Sequence, residues 1–235
     1  MGITSPTEPA SGAADLRLPD ALRSPLQEHI AYLRRRYHER GWGGAVGFGE
    51  RPALVVIDLA LGWTGGSSPM TSNLDSVVLA ARQVLDAARQ AHIPIFFTTG
   101  THDPADPISP SAAKLPQASE AALPTQDANQ LDPRLGHLPT EKIIRKPYAS
   151  AFKGTPFHEM LTGLRVDTLI VTGCSTSHCV YATCRDAKDS FRVIVPREAV
   201  GERCELMHEV NLLDIEIDLA DVLPVAEVVA KLANL

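Results

Sequence analysis

The sequence lacks the marks of several large functional classes. No apolar run approaches the length that crosses a bilayer. Residues 1–20 are Pro, Ser, Ala and Gly with scattered charge, without the hydrophobic centre of a signal peptide. A cytoplasmic location with no membrane partner is the expectation. Positive charge is in deficit: 22 Lys and Arg against 28 Asp and Glu leave a net charge of -6 and a pI near 5.7. Nucleic acid and anionic membranes select for clustered Lys and Arg, so a small molecule is the expected partner. The four cysteines, Cys174, Cys179, Cys184 and Cys204, form no C-x-x-C pair; free thiols are expected, without a cysteine-bound zinc. Gly62, Gly65 and Gly66 do not compose a phosphate loop, and no cofactor is expected.

What is present suffices for one sizeable core: 235 residues, 44% hydrophobic and 21% charged. The chain divides into a flexible arm over 1–22, an N-terminal helix and lead-in over 23–50, and a main domain over 51–235. Ser24 followed by Pro25 reads as a helix start, with Leu26, Ile30, Leu33 and Tyr37 as its stripe. Strands are expected over 51–59, 93–98, 141–145, 168–171, 191–196 and 221–224. Helices are expected from Asn73 to Ala91, from Thr155 to Leu164, from His178 onward, over 202–213 and over 225–235. The connection from Thr99 to Thr140 is long enough to suggest a functional loop or an interface. Strands alternating with helices imply a parallel sheet covered on both faces, with right-handed crossovers.

Residues 166–189, VDTLIVTGCSTSHCVYATCRDAKD, form the pivotal stretch: an apolar β-branched run, small and hydroxyl residues, then helical spacing. Cys179 at the start of that helix gains the positive end of the helix dipole, which favours the thiolate. The competing reading is an inert core cysteine. Asp58 closes the first strand, where a parallel sheet places ligand-facing residues; a loop or capping carboxylate is the alternative. Lys146 follows the third strand and is either a cation for the site or a surface lysine. The three types complement one another, because a thiol of ordinary pKa needs a base to take its proton and a cation to hold the resulting charge. Backbone N–H groups between Cys174 and Cys179 are candidates for receiving an oxyanion.

The segments ALVVIDL, IIRKPYASAFKGT, VDTLIVTGCSTSHCVYAT and RVIVPREAVGER resemble the isochorismatase-like cysteine hydrolases, in particular their N-carbamoylsarcosine amidase branch. The resemblance runs from about Gly47 to the C-terminus. It implies a three-layer Rossmann-like α/β fold with a six-stranded parallel sheet flanked by helices, assembled as a homo-oligomer of two or four copies. It also implies an Asp58, Lys146 and Cys179 triad that cleaves a carbamoyl or linear amide C–N bond through a thioester, releasing ammonia. A non-proline cis peptide at Cys174 and Ser175 is implied as well, with the amide of Cys179 in the oxyanion hole. Maleamate-type or ring-amide hydrolysis, or a catalytically silent binding or assembly protein, are the alternatives.

Substrate contacts expected on this resemblance are Trp63, Tyr148, Phe152, Thr176, His178 and Arg203. The aromatic residues read equally as core, and Arg203 as a surface ion pair. Where the branch often has Gly before the nucleophile and Arg two positions after it, this chain has His178 and Tyr181, which weakens the case for an anionic substrate. His178 either lines the pocket or packs at an interface. The nicotinamidase branch holds a metal with an Asp and His cluster after the second strand; here TTGTHDPADP carries only His102 and Asp103, so no metal is expected.

Overall fold

The structure is a computed structural model that describes residues 16–65, 71–100 and 128–235. Seven strands form one parallel sheet: β1 (Pro52–Ile57), β2 (Ile95–Gly100), β3 (Lys142–Lys146), β4 (Thr168–Cys174), β5 (Arg192–Pro196), β6 (Val200–Gly201) and β7 (Asp221–Leu223). Six of them run in the order β3-β2-β1-β4-β5-β7, and the two-residue β6 pairs with the end of β4. The central strands β1 and β4 are buried along their whole length because both their faces are covered. Along β1, Ala53, Val55 and Ile57 face one core and Leu54 and Val56 the other, the period-two alternation of a strand.

On the first face lie α4 (Phe157–Gly163), α5 (Tyr181–Ala187) and α6 (Glu205–Asp214), which contribute Phe157, Leu161, Cys184 and Leu212. On the second lie α3 (Asp75–Gln90) and α7 (Val225–Leu232), with Val78, Leu85 and Val228 fully buried. A short α2 (Leu61–Thr64) follows β1, and α1 (Asp20–Glu39) packs through Ile30 on Leu213 of α6 and on Ile217 just beyond it. Among the described residues no helix is long and apolar enough to cross a membrane.

The chain builds outward from β1 to β3 and then returns to place β4 beside β1. At such a reversal the two flanking connections leave in opposite directions and open a crevice at the carboxyl ends of the strands. Asp58 follows β1 there and Cys174 ends β4. The approach is close: Gly173 has φ +111°, and a Cβ on it would stand 2.0 Å from the Ile57 carbonyl oxygen.

Two expectations need correction. α1 begins at Asp20 and carries Pro25 inside it instead of at its first position. The segment before it is held as well. Leu16 exchanges backbone hydrogen bonds with Arg203 and Glu205, and the Leu18 N–H and the Arg23 guanidinium both bind the Glu205 carboxylate. Those anchors, made by a helix far away in sequence, order residues that composition alone marks as loose. Residues 101–127, within the long connection, lie outside the described residues, as do His102 and Asp103.

Gly173→Ala is expected to destabilise the fold by about 2–4 kcal/mol, through positive-φ strain and the clash with Ile57. Thermal denaturation would show a fall in Tm of roughly 5–15 °C; a native Tm would contradict this account of the β1/β4 approach.

Candidate active site

Three side chains converge at the crevice. The Lys146 Nζ lies 2.7 Å from Asp58 Oδ2, 3.3 Å from Cys179 Sγ and 3.2 Å from the Tyr148 carbonyl oxygen. Those partners use all three ammonium donors. The site is nearly dry, with Asp58 4%, Lys146 6% and Cys179 6% exposed. Each arrives from a different strand end: Lys146 is the last residue of β3, Asp58 follows β1, and Cys179 sits in the turn after β4.

The Asp58 backbone has φ 51°, left-handed for a residue with a Cβ. Thr98 on the neighbouring strand stabilises it. β1 and β2 pair with Ile57 opposite Thr98, so the next residue of β1 meets the threonine side chain. The Thr98 hydroxyl donates to Asp58 Oδ1 at 2.7 Å and accepts the Asp58 N–H at 3.2 Å. Sequence reasoning missed Thr98, which is fully buried near the end of β2 and shows in the sequence only as a threonine in an apolar run. Thr183 was missed too. One helical turn beyond the cysteine, its hydroxyl donates to the Cys179 carbonyl at 2.7 Å and accepts the Ala151 N–H at 3.1 Å, tying the loop after Lys146 to the cysteine turn.

The turn itself is a π-helical segment, Thr176–Val180, running into α5. The Cys174–Ser175 peptide bond is cis. Ser175 offers its carbonyl to the N–H groups of His178 and Val180, and the Ser177 N–H binds Glu202.

The ionisation expected for Cys179 needs correction. Burial, and then the Asp58 carboxylate, push its thiol up to about 12, against the pull of Lys146. The helix start does not produce a resting thiolate in so dry a site beside an anion. Burial disfavours the Lys146 ammonium, but Asp58 and Cys179 outweigh it and raise its pKa.

An isochorismatase domain matches residues 52–227. The chain belongs to the isochorismatase family. The N-carbamoylsarcosine amidase of an Arthrobacter species is 36% identical over 207 residues, which cover 86% of this chain and 78% of that protein. The maleamate amidohydrolase of Pseudomonas putida is 33% identical over 216 residues, covering 87% of this chain and 98% of its own length. A crystal structure of a cysteine hydrolase from Pseudomonas syringae pv. phaseolicola matches in fold with a TM-score of 0.75 at 20% identity, over 81% of this chain and 98% of that one.

The other positions expected to serve this isochorismatase-family site fall in varied places. His178 is exposed, with Nδ1 3.4 Å from Cys179 Sγ. Desolvation, then Lys146 and Arg203, hold its imidazole below the usual histidine range. Tyr148 is half-buried and lends its carbonyl to Lys146, while Lys153 lies over its ring. Phe152 packs against Phe157 and Phe191, and Trp63 against the α3-side core. The Thr176 hydroxyl, fully buried, is bonded to His208 Nδ1 at 2.9 Å. Arg203 pairs with Glu202 at 3.6 Å and lines a cavity of about 670 Å³ with Arg23, Val77 and His208, whose wall does not include the three converging side chains. The Tyr181 hydroxyl binds Asp214 and so ties α5 to α6. All four cysteines are free, and among the described residues no group of three or more His, Cys, Asp or Glu could hold a metal.

The opposed influences of Asp58 and Lys146 on the thiol give a signed prediction. Asp58→Asn removes a negative neighbour and lowers the pH at which Cys179 ionises, whereas Lys146→Met removes a positive one and raises it. Ultraviolet thiolate absorbance, with Cys179→Ser as the blank, reads both midpoints. An unmoved midpoint in both variants would contradict the electrostatic coupling.

Proposed function

We propose that the protein is a cysteine-dependent amidohydrolase that cleaves a C–N bond of a small carbamoyl or linear amide compound. The observation that carries this reading is the contact of one buried ammonium with both a carboxylate and a thiol. The similarity to an N-carbamoylsarcosine amidase and a maleamate amidohydrolase supports it. Because burial and the Asp58 carboxylate raise the thiol's pKa, its proton passes to a base as sulfur attacks.

Cys179 Sγ bonds to the substrate carbonyl carbon while Asp58 takes the thiol proton. The backbone amides between Cys174 and Cys179 receive the oxyanion, those of Ser177, His178 and Val180 being committed to Glu202 and to the Ser175 carbonyl. Collapse breaks the C–N bond, Asp58 returns its proton to nitrogen, and ammonia departs. Water then adds to the thioester with Asp58 as base, and a second collapse releases the acid and restores the thiol. Lys146 remains an ammonium throughout, and its positive charge compensates whichever of Asp58 or Cys179 is negative.

Homo-oligomeric assembly belongs to the same reading. The exposed apolar side chains Tyr32 and Tyr37 on α1 and Leu206, Met207 and Val210 on α6 support it. A monomer in sedimentation equilibrium at working concentration would contradict it.

Cys179→Ala and Cys179→Ser are expected to lower ammonia release by at least about a thousandfold with little change in Tm. A panel of amides, ureides, lactams and esters, read by intact mass for an acyl adduct on Cys179, identifies the bond cleaved. Undiminished activity in Cys179→Ala would refute the mechanism.

A further inference from the structure

The turn that carries Cys179 is held from a direction the triad does not supply. β6 pairs with the end of β4, Val200 opposite Gly173 and Gly201 opposite Cys174, which brings the next residue, Glu202, alongside the turn. Its side chain is 1% exposed. One carboxylate oxygen, Oε2, accepts both the Ser177 N–H at 3.0 Å and the Ser177 hydroxyl at 2.5 Å. The other, Oε1, accepts the Arg203 N–H at 2.9 Å and faces the Arg203 guanidinium at 3.6 Å. A buried carboxylate is costly unless so satisfied, and charge-assisted hydrogen bonds of this kind are among the strongest a protein makes. The partner is also specific: Ser177 lies near the start of the turn, two residues before the sulfur, where backbone N–H groups lack acceptors within their own turn.

We propose that Glu202 is a positioning residue for the nucleophile, acting through Ser177 to hold the 176–180 turn so that Cys179 Sγ stays on Lys146. The inference rests on the reading of Cys179 as the nucleophile and assigns it a support outside the triad. Glu202 touches none of the reacting atoms; it fixes the strand-to-helix corner from the β6 side. Positional control of this kind matters because a displacement of about 1 Å at a reacting atom can cost roughly a hundredfold in rate.

The test needs no substrate. Iodoacetamide alkylation of Cys179, followed by peptide mass spectrometry, is measured in the native protein, Glu202→Gln, Ser177→Ala and the double variant, with Tm recorded for each. Glutamine keeps the shape and one acceptor but loses the charge. Each single variant is expected to speed alkylation of Cys179 roughly tenfold while leaving Cys184 unchanged, because a freed turn exposes the buried sulfur, and the double variant to be no faster than Glu202→Gln, as two halves of one contact require. Native rates in Glu202→Gln, or gains that multiply in the double variant, would overturn the proposal. If Glu202→Gln does not fold, Ser177→Ala decides alone, and a native rate there overturns it. In the native protein Cys184 is the internal reference. If Cys179 alkylates no faster than Cys184, the nucleophile reading is what fails; if it alkylates faster but ignores Glu202, only the positioning role fails.

Discussion

The ammonium of Lys146 bonded at once to Asp58 and Cys179 is the constraint on which the rest of the site depends. In a nearly dry crevice an ammonium or a carboxylate alone would carry a large desolvation cost, and each is present because the other is there. The sulfur shares the arrangement unequally, since the anion beside it opposes ionisation and the cation favours it. The balance raises the pKa of a thiol that lies beside both a carboxylate and an ammonium.

Holding three groups to that geometry explains features that otherwise look like local oddities. Asp58 adopts a left-handed backbone because it must turn off the end of β1 toward Lys146, and the Thr98 hydroxyl bonded to both its amide and its carboxylate compensates that conformation. Gly173 is needed because β4 passes too close to Ile57 for any Cβ. Thr183 joins the cysteine turn to the loop that follows Lys146, so the two cannot drift apart independently. Asp58, Thr98 and Gly173 lie at or near strand ends beside the sheet's point of reversal, where the fold leaves backbone groups without a continuing ladder, and Thr183 stands on the helix that follows.

Much of this was legible in the residues. The unbroken apolar runs of β1 and β4 declare strands covered on both faces, and the order of elements then places Asp58, Lys146 and Cys179 at one rim. What sequence could not convey was the sign of the environment. A helix start argues for a thiolate, and only the burial of Cys179 and the position of the Asp58 carboxylate reverse that argument. Nor could composition reveal that residues 16–23 are ordered, because their partners, Arg203 to Glu205, lie almost the whole chain away. Thr98 and Thr183 escaped notice for a related reason: a threonine in a strand or a helix is unremarkable until its neighbour across the fold is known.

The burial of Cys179 has a meaning for the protein at rest. Peroxide and other oxidants attack thiolates far faster than thiols. A sulfur that is 6% exposed, and whose ionisation burial and the Asp58 carboxylate both disfavour, offers such reagents little surface and little thiolate. The crevice that gathers the three side chains thus also screens the sulfur from chemical wear.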